Sequence, residues 1–361
     1  MNKSFVQKNN CDFILNNEIF KFIGCNMYEL SYVDTVTTIA MLKDAADEGF
    51  SVVRFWAFGT FESIDKSKLK EICDISKELT LKIIPVLSDS SGYNQTDTID
   101  NIWYKEGYKI NYVKYIKDLI SDFKNRDEIL LWEIINEPIT NSFEDIFNFT
   151  ENVSGIIRSI DPNHLISIGT IGGIGDKFGN AFSRFSISNF EKLYSLKNVD
   201  AISLHDYSFN STVFERLDIL YRFKGKLKNA KLYESIDRIL NYIPTETDKF
   251  TLNKFNKTFN FPLTLRQIWR SYNSKNIAIS KKLNKPVYIG EVGFKKSLGK
   301  LRKIILEQEL KKYFKSGISG VLLWSFESQG KSIDGHGYGF NSDDGFSEVI
   351  KSINLFSNVN N

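Results

Sequence analysis

A closed (β/α)8 barrel, the α/β fold of the TIM-barrel type, is what the sequence predicts, on three observations. Eight short apolar runs alternate with segments of helical periodicity. Neither a linker nor an internal repeat divides the 361 residues, a length that such barrels reach as one domain. The central run, Ile129–Pro138, is apolar apart from one glutamate until it nears its end, which is typical of a strand buried on both faces in a parallel sheet. We therefore predict a single domain over residues 1–361.

The predicted elements begin with a β-hairpin, Phe13–Phe22, in which Asn16 and Asn17 tolerate the positive φ of a two-residue turn. Its position just before the first long strand suits a plug over the bottom of the barrel. The eight predicted strands are Lys21–Asn26, Ser51–Trp56, Leu81–Leu87, Ile129–Asn136, His164–Gly169, Val199–Leu204, Pro286–Glu291 and Gly320–Ser325.

Helices are predicted between the early strands from apolar residues at helical spacing. Gly49 supplies a stop signal for the first of them. The four predicted helices are Val36–Glu48, Lys66–Leu79, Tyr108–Phe123 and Phe143–Ile160. Ser88–Tyr104 is predicted to be a polar loop, and the glycines from Gly169 to Gly175 a flexible loop beside the cleft.

A helical insertion is predicted after strand six, where residues 209–283 replace an ordinary loop and helix. The segment holds 15 Lys and Arg against 6 Asp and Glu, a net charge of +9, and twelve aromatic residues. Because it follows the C-terminal end of a strand, we expect it to form one wall of the cleft on that side of the barrel. The alternative is a helical subdomain with a phenylalanine-rich core and a solvated basic face.

The composition excludes several classes of protein. A net charge of only +3 gives no reason to expect nucleic-acid binding. Cys11, Cys25 and Cys73 are odd in number and scattered, so we expect buried free thiols. No apolar segment is long enough for a transmembrane span, and none near Met1 resembles a secretion signal. The sequence as it stands predicts a cytoplasmic protein, or a secreted one if a leader has been removed.

Polar side chains stand at the C-terminal ends of the predicted strands, the edge where barrels of this type present their functional groups. Pro138 cannot continue a central strand, so Glu137 lies at the mouth, and Glu291 ends another strand. One glutamate after a strand is more often a surface residue, but two in the same context indicate a pair facing one cleft. Arg54 interrupts an apolar run and needs a carboxylate partner.

Two carboxyl groups accompanied by tryptophans match the requirements of glycoside hydrolysis. One acid protonates the leaving oxygen while the other supports the positive charge that develops at the anomeric carbon. Three widely spaced histidines make a metal site improbable, and the Gly-x-Ser-x-Gly motif of serine hydrolases does not occur. We therefore expect no cofactor and no metal.

Several motifs together resemble glycoside hydrolase family 5, in the clan A retaining glycosidases. They cover residues 13 to 345, and the opening segment Phe22–Tyr28 is most similar to the β-mannanase branch. The loop Ser88–Tyr93 departs from that branch because it lacks an Asn-Trp pair. The motifs are Arg54–Phe58, Trp132–Pro138, His205–Tyr207, Ile289–Gly293 and Leu323–Ser325.

The resemblance implies double displacement, with Glu137 as general acid/base and Glu291 as nucleophile. It implies that Asn136 contacts a sugar 2-hydroxyl and that Trp324 is a sugar platform. The residues expected to bind substrate or position the nucleophile are Arg54, Trp56, Asn136, His205, Tyr207 and Trp324.

The expected partner is an oligo- or polysaccharide, with a weak membrane-surface contact through residues 209–283. Two alternatives to a β-mannanase-like hydrolase stay open. One is a barrel that binds saccharide without catalysis, which the retained Glu137 and Glu291 argue against. The other is a transglycosylase or exo-β-glycosidase that acts on an anionic or lipid-linked glycan.

Overall fold

The structure, a computed structural model, describes residues 4–58, 66–90, 99–173, 185–209, 265–299, 301–330, 335 and 337–359. Eight parallel strands form one sheet. Their bounds are β4 Phe22–Asn26, β5 Val52–Trp56, β6 Lys82–Val86, β7 Leu131–Asn136, β8 Leu165–Gly169, β9 Ile202–Phe209, β10 Val287–Phe294 and β11 Gly320–Trp324. The strand order in the sheet is β8-β7-β6-β5-β4-β11-β10-β9, so β4 and β11, the first and last of the eight along the chain, are neighbours, as barrel closure requires.

The remaining gap, between β8 and β9, is bridged just before β9 begins. The backbone amide of Asp200 donates to the carbonyl of Ile166 at 2.7 Å, and the hydroxyl of Ser167 donates to the carbonyl of Ala201 at 3.0 Å. These contacts bring the two ends of the sheet together, so the predicted barrel is confirmed.

An N-terminal antiparallel sheet covers the bottom of the barrel. It comprises β1 (Gln7–Asn9), which the sequence analysis missed, β2 (Asp12–Leu15) and β3 (Glu18–Ile19). The predicted turn lies between β2 and β3, where Asn16 and Asn17 have φ of 55° and 68°. Phe13 is fully buried and packs against Phe22, with ring centroids 5.8 Å apart, which confirms the plug.

The helices surround the sheet, and four of the described ones were not predicted individually. These are the short α3 (Asn101–Lys105), α6 (Ile187–Tyr194), α8 (Leu301–Ser316) and the C-terminal α9 (Phe346–Val359). The predicted third helix begins at Tyr112, not Tyr108, because a 3-10 turn (Gly107–Lys109) precedes it. The bounds are α1 Thr35–Glu48, α2 Lys66–Glu78, α3 Asn101–Lys105, α4 Tyr112–Phe123, α5 Phe143–Ile160, α6 Ile187–Tyr194, α7 Leu265–Leu283, α8 Leu301–Ser316 and α9 Phe346–Val359.

Strand β10 extends beyond Glu291, which we had placed at its end. The pairing of β10 with β9 shifts register between Ile289 and Glu291, and again between Val292 and Phe294. A bulge of this kind redirects side chains and is frequent beside active sites. Glu291 is therefore presented from within a bulged strand and lies opposite His205.

Three further expectations concern membrane-spanning helices, the cysteine thiols and the insertion. Among the described helices, none is both long and apolar enough to cross a membrane. Cys25 and Cys73 are buried as expected, whereas Cys11 is partly exposed, because it lies in the turn between β1 and β2. Residues 210–264 of the insertion lie outside the described residues, and α7 forms the helical end of that segment.

The hairpin turn yields a stability prediction. Asn17→Val should lower the free energy of unfolding by about 1–2 kcal/mol, because a β-branched residue is strained at positive φ. Asn17→Gly should not lower it, since glycine adopts that φ without strain. Urea unfolding of the three proteins measures the difference, and equal stability of the valine and glycine variants would contradict this turn geometry.

Candidate active site

The guanidinium of Arg54, near the end of β5, forms the centre of a buried polar network. The side chain is completely buried, and each of its five N–H groups has an acceptor. On one edge, Nε and Nη2 donate to Glu133, with Nη2–Oε1 at 2.5 Å. Nη2 also donates to Asn136 at 2.7 Å. On the other side, Nη1 donates to Asn26 and to Glu291, both at 2.8 Å.

The surroundings of Arg54 stabilise its positive charge. Burial by itself lowers the pKa of Arg54, but the charges of Glu133 and Glu291 more than offset it, and the net pKa is raised. The guanidinium carbon also lies 4.6 Å from the ring centroid of Trp56, which is within cation–π range. The carboxylate partner that the sequence required is therefore present, but as two glutamates, and Glu133 was missed.

Both carboxylate oxygens of Glu291 accept a hydrogen bond. Oε1 accepts from Arg54, and Oε2 accepts from the hydroxyl of Tyr207. Burial and then the charge of Glu291 raise the pKa of Tyr207, so the phenol keeps its proton and donates it to the carboxylate. Two charge-assisted hydrogen bonds therefore fix the orientation of Glu291.

Glu137 follows β7 in a strained backbone conformation. Its φ is 41°, in the left-handed region that residues other than glycine rarely adopt. The backbone amide donates to the carbonyl of Gly169 at 2.8 Å, which helps to hold that conformation. The side chain is 29% exposed, unlike that of Glu291 at 5%, so the two carboxyl groups differ in their access to water.

His205 lies between the two glutamates. Its Nδ1 is 2.7 Å from Oε1 of Glu137 and 3.7 Å from Oε2 of Glu291. One side-chain atom from each of the three residues lies within 4.8 Å of the other two. Glycosidases that retain configuration separate their carboxyl groups by about 5–5.5 Å. Among the described residues this is also the one group of three whose spacing could admit a metal ion, although the 2.7 Å contact is that of a hydrogen bond.

The ionisation of His205 is set by opposing effects. Burial lowers the pKa of His205, but the charge of Glu291 and the hydrogen bond to Glu137 raise it further, so that the net pKa is raised. The imidazole thus retains its proton to higher pH than a solvent-exposed histidine.

Asn136 is oriented by contacts at both ends of its amide. Its oxygen accepts from Arg54 at 2.7 Å, and its nitrogen donates to Asp89 at 3.3 Å. Asp89 also accepts from the indole N–H of Trp56 at 2.5 Å. These contacts fix the orientation of the Asn136 amide beside Glu137. Asp89 lies in the loop that we noted only for its missing Asn-Trp pair, and its role went unrecognised.

The two predicted tryptophans differ in exposure. Trp324, at the end of β11, is half-buried and meets Trp56 edge to face, with ring centroids 5.6 Å apart. Trp56 is only 1% exposed and also packs against Tyr28. Trp324 is thus the more accessible of the two rings, and Trp56 packs between it and the guanidinium of Arg54. The Trp324–Ser325 peptide bond is cis.

All eight predicted site residues thus meet at one end of the barrel, and their individual roles stay predictions. Asn26, Glu133, Tyr288 and Asp89 belong to the same network, and the last three of them were missed. A buried carboxylate inside the apolar run Ile129–Ile135 was the available signal for Glu133, since such a charge requires a partner.

The family follows from comparison with known proteins. The family model for Cellulase (glycosyl hydrolase family 5) matches residues 15–330. This match covers most of the chain, so the protein belongs to glycosyl hydrolase family 5.

Individual relatives are similar at a lower level. The chain is 25% identical over 264 residues to a putative mannan endo-1,4-β-mannosidase 4 of Arabidopsis thaliana, covering 59% of this chain and 64% of that protein. It is 24% identical over 242 residues to mannan endo-1,4-β-mannosidase A of Hypocrea jecorina, covering 56% and 55%. The chain therefore spans less than two thirds of the length of these curated relatives.

Solved structures show the same fold. An endo-1,4-β-D-mannanase of Thermotoga petrophila superposes with a TM-score of 0.65 at 20% identity, covering 93% of this chain and 100% of that one. An endo-1,4-β-mannanase of Rhizomucor miehei superposes with a TM-score of 0.66 at 17% identity, covering 96% and 97%. At these identities the likeness concerns the fold alone.

The raised pKa of His205 predicts a pH-dependent stability. Protonated His205 stabilises the fold fully below its unfolded pKa of about 6.5, and this stabilisation is lost as pH rises through the raised folded pKa. The destabilisation caused by His205→Gln should therefore be larger at pH 5.5 than at pH 8.5, as measured by urea unfolding. In a Glu291→Gln background, which lacks the charge that raises the pKa, the dependence should weaken. A pH-independent effect in both backgrounds would contradict this account.

Proposed function

We propose that this chain is a retaining β-glycoside hydrolase that acts by double displacement. The observation that carries the proposal is the group of Glu137, His205 and Glu291, in which one ligand atom of each residue lies within 4.8 Å of the other two. Two carboxyl groups this close favour direct attack by one of them, as in retaining glycosidases. Membership of glycosyl hydrolase family 5 supports the same reaction.

In the first step, an oxygen of Glu291 forms a bond to the anomeric carbon while the bond to the leaving oxygen breaks. Glu137 donates its proton to that oxygen and becomes a carboxylate. Arg54 and Tyr207 donate to the two oxygens of Glu291 and orient the carboxylate for the attack. Asn136 contributes an amide N–H to a sugar hydroxyl next to the reacting carbon.

In the second step, a water molecule attacks the anomeric carbon and breaks its bond to Glu291. The Glu137 carboxylate takes a proton from that water and is ready for the next turnover. Its 29% exposure lets water reach it once the leaving group has departed. His205, whose Nδ1 is 2.7 Å from Oε1 of Glu137, orients that carboxyl group.

The substrate we propose is a β-1,4-linked mannan or a related β-linked glycan. The relatives from Arabidopsis thaliana and Hypocrea jecorina are described as mannan endo-1,4-β-mannosidases, which supports this choice. Transglycosylation uses the same two carboxyl groups. Product masses from a panel of β-linked oligosaccharides distinguish transfer from hydrolysis.

The basic insertion leads us to propose an anionic form of that substrate. Residues 209–283 have a net charge of +9 and follow the C-terminal end of a barrel strand. Acidic saccharide units, or a glycan held at an anionic membrane surface, would be attracted to such a segment. The net charge of the rest of the chain is about −6, so the attraction would be local to the insertion.

Substitution of the two glutamates tests the mechanism. Glu291→Ala should abolish turnover, and Glu137→Ala should reduce kcat/KM on a natural glycan by about 10³-fold, because each removes one group of the double displacement. On an aryl glycoside with a good leaving group, the Glu137 variant should still form the covalent intermediate. Added azide should then yield a β-glycosyl azide, identified by NMR.

The control for this experiment is Glu128→Gln, a buried glutamate near the opposite end of the barrel that pairs with Arg126 at 3.1 Å. Its kcat/KM should equal that of the wild type. Ordinary activity of Glu137→Ala on a natural glycan, or an α-configured azide product, would overturn the assignment of roles.

Salt dependence tests the proposed anionic substrate. Raising NaCl from 50 to 500 mM should increase KM for an acidic glycan, because the Debye length falls from about 14 to about 4 Å. KM for a neutral aryl glycoside should hardly change and serves as the control. Efficient cleavage of neutral polymeric mannan, insensitive to salt, would show that the charge of the insertion plays no part.

A further inference from the structure

A second carboxylate competes with the nucleophile for Arg54. Glu133 lies in the middle of β7, four residues before Glu137, and is completely buried. Its oxygens accept from Nε and Nη2 of Arg54 and, at 2.9 Å, from the hydroxyl of Tyr288. It does not reach the mouth of the barrel, so it cannot contact a substrate.

The geometry of Arg54 makes the contact with Glu291 depend on Glu133. A guanidinium is planar and rigid, so binding one edge determines where the remaining N–H groups point. Glu133 binds the Nε–Nη2 edge, and Nη1 is thereby directed at Asn26 and Glu291. A Cβ on Gly169 would lie 2.4 Å from Oε1 of Glu133, so the carboxylate is also confined from the side of β8.

The same arrangement divides the charge of Arg54. One cation faces two carboxylates, and the three side chains are 0%, 0% and 5% exposed. Water therefore screens them weakly, and the charge of Glu133 offsets part of the attraction that Arg54 exerts on Glu291. A nucleophile bound too strongly by a cation is stabilised in the ground state and attacks more slowly.

Resting on the function proposed above, we infer that Glu133 is a positioning residue for the nucleophile. It directs Nη1 of Arg54 at Glu291 and limits how strongly that cation stabilises the ionised carboxylate. Tyr288 supports it by donating to Oε2. Nothing reacts at Glu133 itself, so its influence should appear in the pH dependence and rate of the Glu291 step.

The test is Glu133→Gln, which keeps an oxygen acceptor for Arg54 but removes the charge. Without that negative charge, ionised Glu291 is favoured, so the acidic limb of the kcat/KM profile should move down by about one pH unit. The rate constant for formation of the covalent intermediate should fall about tenfold, and KM should change little. Arg54→Met should move the acidic limb in the opposite direction.

Glu128→Gln is the matched control, because it makes the same change at a buried ion pair distant from the site. It should alter stability without moving the acidic limb. If Glu133→Gln does not fold, Tyr288→Phe is the second variant, because it removes the hydrogen bond to Oε2 of Glu133. The negative charge of Glu133 then acts more strongly on Glu291, so the acidic limb of the kcat/KM profile should move to higher pH. A wild-type acidic limb in the folded variants would overturn the inference and leave Glu133 with a structural role only.

A readout independent of turnover separates this inference from the proposed function. With ¹³C-labelled glutamate, the Glu291 carboxyl signal is identified by its loss in Glu291→Gln. Its titration midpoint should fall by about one pH unit in Glu133→Gln. If the wild type cleaves no glycoside yet this midpoint shifts, the proposed function fails while the coupling stands. If the wild type is active and the midpoint does not shift, only the role of Glu133 fails.

Discussion

The pairing of Arg54 is the interaction on which the rest of the site depends. An arginine with no exposure is tolerated only when its charge and all its N–H groups are matched, because an unmatched buried ion costs several kcal/mol. Arg54 meets this condition with acceptors from β4, β7 and β10, so one residue on β5 ties four of the eight strands together across the interior. The network that serves the site is thus also a structural part of the barrel.

Both proposed catalytic glutamates stand where regular strand geometry fails. Glu291 lies in a bulge of β10, and Glu137 has a φ of 41° directly after β7. In a regular ladder, alternate residues point to opposite faces, which allows few approaches between side chains of distant strands. The two carboxyl groups nevertheless come close to each other here, one presented from a bulged strand and one from a strained turn.

The sequence was sufficient for the barrel because each parallel strand is buried on both faces and appears as an apolar run such as Ile129–Ile135. It was also sufficient for residues at strand ends, where topology brings distant positions to one edge. Some helices were missed. The five-residue helix α3, for example, depends on the side chain of Asp100, which accepts from the amides of Ile102 and Trp103. For Glu133 the charge inside the apolar run was visible in the sequence, but its partners are distant, and pairing between strands leaves no local pattern that would identify them.

The two glutamates differ in exposure in a way that fits their proposed duties. The nucleophile must keep its charge whether or not substrate is bound, so its ionisation is best set by fixed partners and shielded from water; Glu291 is 5% exposed and bound on both oxygens. The acid must lose and regain a proton in every cycle, so it needs access to water and a neighbouring group that can itself be protonated. Glu137 is 29% exposed and has His205 at 2.7 Å, whose raised pKa keeps a proton available over a wider range of pH. Burial and hydrogen bonding thus place two chemically identical side chains in different surroundings, one enclosed by fixed donors and one open to water.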